Sequence, residues 1–232
     1  MSKLEWSKVF QRKARCSPVK ELEVPTWDLV RAAFNSGQIE EGNELLDYCY
    51  LETQTYFDPK IVMVNMLLKY IGDKLGDEAV EEIWRSNLAP RIATWLETSE
   101  TAEEGIIRIL EAHRGQFANI SISEEPDRYA VKLNPCGSGG KMRRTVETAS
   151  TKQAQPWSWG KAGIPYYCAH CCMIMEVLPI EMRGYPISVV EMGENPEDPC
   201  FQYYYKSPEL IPEEYFTRVG KVKDISKFKK DY

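Results

Sequence analysis

Residues 117–134, with the sequence FANISISEEPDRYAVKLN, mark the point at which the hydrophobic pattern changes its period. Apolar residues alternate with polar ones on both sides of Glu125-Pro126-Asp127; they are Ile120 and Ile122 before it and Tyr129, Val131 and Leu133 after it. Alternation is typical of a half-buried β-strand, and proline with aspartate between two such runs is typical of a turn. The stretch therefore predicts a β-hairpin.

Upstream of this hairpin, apolar residues recur at the three- and four-residue spacing of helices. The first 25 residues are charged and are interrupted by Pro18 and Pro25, which predicts a short helix followed by an irregular arm. Pro59 is expected in the first turn of a helix, where a missing N–H is tolerated. Helices are predicted over residues 26–35, 39–56, 59–71, 77–96 and 101–113.

Downstream of the hairpin, residues 136–163 are rich in Gly, Ser, Thr and Gln and predict a long loop. A helix is predicted over residues 166–182, kinked or shortened at Pro179. Strands are predicted over 186–191 and 200–205. This order predicts an α+β fold, with N-terminal helices packed on an antiparallel sheet made of two hairpins that flank the Cys-bearing helix.

We expect this arrangement to form one structural domain. Residues 1–116 are its N-terminal helical region, 117–206 its α+β core and 207–232 a C-terminal tail. A chain of 232 residues is long enough for a single large core. Its 43% hydrophobic and 28% charged residues are typical of a globular protein in water.

Charge and hydropathy argue against several classes of protein. A net charge of −6 disfavours a broad nucleic-acid-binding surface. The longest apolar stretches, residues 61–68 and 173–180, are too short to span a bilayer, and the N-terminus lacks the apolar segment of a signal peptide. We therefore expect a cytoplasmic protein without a nucleic-acid or membrane partner, whose seven cysteines stay reduced.

Tyr167-Cys168-Ala169-His170-Cys171-Cys172 contains three of the seven cysteines and one of the two histidines. Residues three and four apart share a helix face, so Cys168 and Cys172 are expected to point the same way. If the hairpins pack on this helix, Cys136 and Cys200 contribute two further sulfurs. Four cysteines are typical of a tetrahedral zinc site, so the pattern predicts zinc bound by Cys136, Cys168, Cys172 and Cys200.

A second interpretation makes one of these cysteines a nucleophile, since a thiolate with a proton shuttle can attack an amidine, a thioester or a strained ring. Cys171 is the candidate nucleophile, or else Cys172, and His170 or His113 is the candidate shuttle. Adjacent side chains diverge on a helix, so contact between His170 and Cys171 is not expected. Glu191, which ends a strand with a buried pattern, is a further candidate catalytic residue.

Two segments before the cluster are expected to bind a small molecule. Gly137-Ser138-Gly139-Gly140 precedes a basic stretch, a combination that can form a backbone N–H nest for a carboxylate or phosphate; the alternative is a flexible loop. Aromatic rings, which are typical of small-molecule pockets, lie close to the start of the Cys-bearing helix. The candidate ligand-binding residues are Ser138, Lys141, Arg143, Trp157, Trp159 and Tyr167.

Four segments within about residues 117–206 occur in an order that resembles a vinyl-4-reductase-type domain. They are Val131-Lys132-Leu133-Asn134-Pro135-Cys136, then Tyr167-Cys168 at a helix start, a strand ending in Glu191, and Glu197-Asp198-Pro199-Cys200-Phe201. Such domains also occur in phenol-sensing transcription regulators, and they are related to 2-aminothiazoline-4-carboxylate hydrolases and to TRAPP subunits of Golgi transport. In family members that bind zinc, the cysteines and the glutamate supply the ligands.

The resemblance implies relatives that are hydrolases and relatives that are sensors. The function predicted here is binding of a small organic acid or aromatic compound beside a Cys-rich zinc site, and the favoured activity is that of a hydrolase using zinc or a Cys thiolate. The alternatives are a non-catalytic ligand-binding or sensor protein with structural zinc, and an assembly subunit. The resemblance also implies that the chain forms a homodimer.

Overall fold

The computed structural model describes residues 4–16, 18–98 and 101–228. The chain divides into two compact units, Met1–Pro59 and Lys60–Tyr232, which we call the N-terminal and the C-terminal unit. Their boundary falls inside a helix and not at residue 116, where the predicted helical region ends. The fold class is α+β with antiparallel strands, as predicted.

The N-terminal unit begins with an antiparallel hairpin of β1 (Glu5–Ser7) and β2 (Arg12–Ala14), where the sequence predicts a short helix. A 3-10 turn (Val19–Glu23) leads to α1 (Thr26–Asn35), which has the predicted bounds, and then to α2 (Ile39–Leu75). Apolar residues from the hairpin and both helices form the core: Leu4, Ala14, Val30, Ala33, Leu45, Tyr48 and Cys49.

Helix α2 continues through Pro59, which the sequence analysis places at the start of a separate helix. A proline inside a helix removes one N–H···O bond and crowds the preceding turn. Residues 43–71 contain no glycine and no second proline, so their helix-favouring composition outweighs this one loss. Within the ranges that the structure describes, neither α2 nor any other helix is long and apolar enough to cross a membrane.

In the C-terminal unit, α3 (Asp77–Leu96) has the predicted bounds, and α4 (Ala102–Gly115) begins at a capping box of Thr101 and Glu104. The remaining helical segments are short: α5 (Gly139–Thr145), α6 (Ala169–Cys172), a π-helix (Met173–Val177), α7 (Leu178–Arg183) and α8 (Glu214–Thr217). Further 3-10 turns are Pro156–Ser158, Pro208–Leu210 and Ile225–Lys227. Part of the predicted loop 136–163 is therefore helical.

Two hairpins form the four-stranded sheet of this unit, β3 (Ile120–Glu124) with β4 (Arg128–Leu133) and β5 (Val189–Glu191) with β6 (Cys200–Tyr205). The strand order is β3-β4-β6-β5, and all neighbours are antiparallel. Helix α4 packs against β6, and α3 packs against the π-helix and α7. Because Leu133 pairs with Cys200, the last residue of β4 and the first residue of β6 lie side by side at the same end of the two central strands.

The Cys-bearing helix begins after Cys168 and contains the π-helical turn, whereas the sequence predicts one regular helix from residue 166. Pro179 lacks the N–H that would bond to the carbonyl of Met175. That carbonyl accepts instead from the N–H of Ile187 at 2.8 Å. The helix continues past Pro179 because a residue beside β5 satisfies the group that the proline leaves unpaired.

Candidate functional site

The C-terminal unit contains a cavity of about 250 Å³. Helices α3 and α4, the start of α5, the Cys-bearing helix and strands β4, β5 and β6 all contribute to its walls. Four aromatic residues line it: Trp84, Trp95, Trp159 and Tyr167. The chemically reactive or charged residues of the lining are Cys136, Cys168, Cys171, Cys200, His113, His170, Arg91 and Arg143.

The segment Gly137-Ser138-Gly139-Gly140 leads into α5 and packs its backbone against two of these thiols. A Cβ atom at Gly139 would lie 2.8 Å from Sγ of Cys168, and one at Gly140 would lie 3.1 Å from Sγ of Cys136. The N–H of Gly140 also donates to Sγ of Cys136 at 2.8 Å. The glycines therefore permit close approach to sulfur, in a segment predicted as an anion-binding nest or a flexible loop.

The predicted zinc site is wrong. Within residues 4–16, 18–98 and 101–228, no three His, Cys, Asp or Glu side chains are grouped so that they could hold a metal ion. All seven cysteines are free thiols. Burial raises the pKa of Cys171 to about 12 and that of Cys200 to about 11, and it also raises the pKa values of Cys136 and Cys168. Burial therefore favours the protonated form of these thiols at neutral pH.

Cys172 lies apart from the other cysteines that were predicted to bind zinc. It is fully buried outside the cavity lining, and its Sγ is 3.6 Å from the carbonyl oxygen of Pro156. The expected shared face with Cys168 assumed that both residues belong to one regular helix. Cys168 has helical backbone angles, but the N–H of Cys171 donates to the carbonyl of Cys168 at 3.0 Å, the three-residue bond of a 3-10 turn. Such a turn aligns Cys168 with Cys171 and not with Cys172, and Cys171 is the one on the cavity lining.

His170 and Cys171 contact each other on the cavity lining, contrary to the expectation for adjacent helical residues. Nε2 of His170 is 3.6 Å from Sγ of Cys171, and Nδ1 donates to the carbonyl of Tyr167. The imidazole packs against the rings of Trp84 and Tyr167, at centroid distances of 5.4 Å and 5.0 Å. The bond to Tyr167 turns the ring back over the first helical turn, which brings Nε2 to the thiol.

His113, in the last turn of α4, is buried on the cavity lining, with 9% of its surface exposed. The hydroxyl of Tyr204 donates to Oε1 of Gln202 at 2.8 Å, and Nε2 of Gln202 donates to Nε2 of His113 at 3.1 Å. This network assigns the proton of the neutral imidazole to Nδ1, which has no partner in the described part of the chain. Burial lowers the pKa of His113 to about 4, with a smaller contribution from His170.

Two arginines on the lining differ in their partners. Arg143 donates to the carbonyl oxygens of Gly193 and Glu194, each at 3.0 Å, so its guanidinium stabilises the turn before β6. Arg91 is exposed and lies over the ring of Trp95 at 4.5 Å. Among the residues that the structure describes, no carboxylate pairs with Arg91, which leaves a cation available at the rim of the cavity.

The structure brings most of the predicted site residues together. Those on the lining are Cys136, Ser138, Arg143, Trp159, Tyr167, Cys168, His170, Cys171 and Cys200, and those outside it are Lys141, Trp157, Cys172 and Glu191. Trp157 is buried in the core, with 1% of its surface exposed. Glu191 is exposed and accepts from the hydroxyl of Tyr215 at 3.0 Å.

Sequence reasoning missed the contribution of α3, which lines the cavity with Trp84, Arg91 and Trp95. Its helical period predicts which residues are buried, but periodicity does not distinguish a core contact from a cavity wall. The pairing of His113 with Gln202 was also missed, because these residues lie 89 positions apart in the chain.

The chain matches no protein-family model, no curated protein and no solved structure. The resemblance to vinyl-4-reductase-type domains therefore stays a prediction, and function has to be inferred from the cavity. The cavity combines apolar walls, a cation at its rim, and a thiol in contact with an imidazole.

Proposed function

We propose that the protein binds a small organic acid with a flat, apolar body in the cavity of its C-terminal unit. The observation that carries the proposal is the exposed guanidinium of Arg91, which lies on the lining over the ring of Trp95 and pairs with no carboxylate of the described residues. Aromatic walls with a few polar groups are typical of a small-molecule site, and a guanidinium among them is suited to a carboxylate.

The size and the walls of the cavity favour a small flat ligand. A cavity of about 150 Å³ is large enough to hold benzene. The present volume of about 250 Å³ has room for one aromatic ring with short substituents. The indole and phenol rings of the lining offer the flat apolar faces against which such a ring packs favourably.

The charge at the rim favours an anion. Arg91 is exposed over Trp95 and pairs with no carboxylate in the described ranges, and a guanidinium can bind a carboxylate through two parallel hydrogen bonds. Arg143 already donates to two backbone carbonyls, so Arg91 is the residue that we expect to select acids over neutral molecules. The ligand would place its ring among the aromatic walls and its carboxylate at Arg91.

Intrinsic tryptophan fluorescence tests this proposal, because Trp84, Trp95 and Trp159 line the cavity. Benzoate and 4-methylbenzoate are titrated in parallel with their neutral primary amides. We expect each acid to bind about fivefold more tightly than its amide, and Arg91→Gln to abolish this preference. Arg108→Gln is the control, because Arg108 also lies near the ring of Trp95, at 5.7 Å, but is not part of the lining.

Equal affinity for acids and amides would contradict the role of Arg91. Failure of every aromatic acid to bind at millimolar concentration would reject the proposed function.

A further inference from the structure

Cys171 is distinguished from the other thiols of the cavity by its contact with an imidazole. Its Sγ lies 3.6 Å from Nε2 of His170. Cys136 instead accepts from the N–H of Gly140, and Cys168 packs beneath the backbone of Gly139. Of these thiols, Cys171 therefore has the arrangement that general-base catalysis of nucleophilic attack requires.

The surroundings of His170 hold its ring in the orientation that a base for Cys171 needs. Its Nδ1–H donates to the carbonyl of Tyr167, so the lone pair of the neutral ring is on Nε2, the atom that faces the thiol. Packing against Trp84 and Tyr167 restricts rotation of the ring. In enzymes that use such a pair, a third group orients the base. Here the carbonyl of Tyr167 is that group for His170.

We propose that Cys171 adds covalently to an α,β-unsaturated carbonyl compound bound in the cavity, with His170 as its base. The proposal deepens the proposed function, on which it rests: it adds a conjugated carbonyl group to the organic acid. Cys171, His170 and Arg91 belong to one lining, so an acid bound in the cavity lies beside the thiol. The aromatic walls and the exposed guanidinium of Arg91 are features, independent of the thiol, that indicate a ligand at this site.

The reaction balances without a further reagent. As Sγ of Cys171 forms a bond to the β-carbon, its proton moves to Nε2 of His170, and the π electrons of the C=C bond move towards the carbonyl. The imidazolium of His170 then returns the proton to the α-carbon. The net change is addition of S–H across the double bond, with both residues returned to neutral charge.

The charges around the pair keep the thiol and the imidazole neutral at rest, so the thiol loses its proton only as it attacks. Burial raises the pKa of Cys171 to about 12, and Glu176 raises it further. Burial also lowers the pKa of His170, and the positive charge of Arg91 acts in the same direction, while the bond to Tyr167 opposes both. His113 interacts electrostatically with His170 across the cavity. At neutral pH the thiol therefore keeps its proton and the imidazole is free to accept it.

Labelling with 3-benzoylacrylate, an aromatic acid with a conjugated ketone, tests the proposal on the full chain. The modified cysteine is identified by mass spectrometry of peptides. We expect Cys171 to react at least about tenfold faster than Cys136 and Cys200, which line the same cavity and are also partly exposed. Equal rates at these cysteines would show that access alone decides reactivity and would overturn the proposal.

His170→Gln separates a base from a merely structural residue. We expect this variant to react about a hundredfold more slowly at Cys171, while the rate at Cys200 stays unchanged. Between pH 7 and 9 the wild-type rate should be nearly flat, whereas the rate of the variant should rise about tenfold per pH unit, because only its thiolate reacts. An unchanged rate at Cys171 in the variant would overturn the role of His170.

The neutral amide of 3-benzoylacrylate distinguishes failure of this inference from failure of the proposed function. If the amide labels Cys171 selectively and as fast as the acid, covalent addition stands and selection of acids by Arg91 fails. If benzoate and 4-methylbenzoate bind as expected and neither conjugated probe reacts preferentially at Cys171, acid binding stands and covalent addition fails.

Discussion

The indole N–H of Trp159 donates to Oε1 of Glu176 at 2.8 Å, which links a wall of the cavity to a fully buried carboxylate in the π-helix. The same carboxylate accepts from the N–H of Val190 at 2.8 Å and from the guanidinium of Arg218 at 2.7 Å. Trp159 and Val190 both line the cavity. One buried ion pair therefore positions two of its walls.

Glu176→Gln is expected to destabilise the protein by about 3–5 kcal/mol, because it removes the negative charge opposite Arg218 in a buried network. An amide also replaces one accepting oxygen with a donor, which disfavours the bonds from Trp159 and Arg218. Urea-induced unfolding of the variant and the wild type at pH 7 measures the difference.

Glu181→Gln is the matched control for this comparison. Glu181 lies on the same helical segment five residues later, and it pairs with Arg85 at 2.6 Å and with Lys221 at 2.7 Å. Its side chain is 31% exposed, so solvent screens these pairs, and the expected loss is about 0–1 kcal/mol. If both variants lose the same free energy of unfolding, burial does not increase the contribution of the Glu176 network to stability.

His113 is expected to make folding less favourable as the pH falls from about 6.5 to about 4. Burial lowers the pKa of His113 to about 4 in the folded chain, whereas an unfolded histidine titrates near about 6.5. Between these values the unfolded state binds a proton that the folded state does not. The free energy of unfolding therefore decreases with falling pH, by on the order of 3 kcal/mol across the window.

Urea unfolding of the wild type and of His113→Gln at pH 7, 6, 5 and 4 measures this effect. Carboxylates titrate in both proteins, so the difference between the two curves isolates the imidazole of His113. The wild-type curve should fall more steeply below about pH 6.5. Parallel curves would mean that the folded protein takes up a proton on His113 as readily as the unfolded chain, which would contradict a pKa lowered by burial.

The elements that sequence reasoning predicted well are those with a sustained local period. Helix α3 and strand β6 have the predicted bounds, and the hairpin of β3 and β4 lies where alternation and the turn residues place it. These signals arise from which face of an element is buried, and a single chain segment displays them without its partners. The α+β class followed from their order.

What the sequence did not predict depends on contacts between distant residues. The carbonyl of Met175 is satisfied by Ile187, so the helix passes Pro179 and contains a π-helical turn that the period does not indicate. The three-residue bond from Cys171 to Cys168 accompanies a lining that contains Cys171 and not Cys172. Four of the five candidate cysteines line one cavity, but their arrangement there required coordinates.

Gly139→Ala is expected to destabilise the protein by about 1–3 kcal/mol, because the added Cβ would lie 2.8 Å from Sγ of Cys168. In a Cys168→Ala background, which lacks that sulfur, the same change should cost less than about 1 kcal/mol. A thermodynamic cycle from urea unfolding of the four proteins gives the coupling. Gly115→Ala, at a helical glycine with open space around its added Cβ, should be neutral or stabilising.

Additive effects of Gly139→Ala and Cys168→Ala would contradict this account. The two changes would then act independently, and the glycine would be required for a reason other than close approach to sulfur. A stabilising Gly139→Ala would contradict it more directly, because the gain in helix propensity would exceed the steric cost.

Arg144→Ala is expected to loosen the turn at residues 193–198, which joins β5 to the start of β6. The guanidinium of Arg144 donates to the carbonyl oxygens of Pro196 and Glu197, each at 3.0 Å, and to Oδ1 of Asn134 at 2.7 Å. Bonds from a charged donor contribute about 1.5–3 kcal/mol each, and here they tie the turn to the segment after β4. Losing them should lower the free energy of local opening.

Amide hydrogen exchange measured by mass spectrometry checks this prediction. Peptides that cover residues 193–198 should exchange about tenfold to a hundredfold faster in Arg144→Ala, because exchange follows the free energy of local opening. The turn at residues 125–127 serves as an internal control, since Arg128 donates to Glu125 there and Arg144 makes none of its bonds to it. Equal acceleration of both turns would indicate global destabilisation, and no acceleration at 193–198 would show that Arg143 alone holds the turn against the cavity.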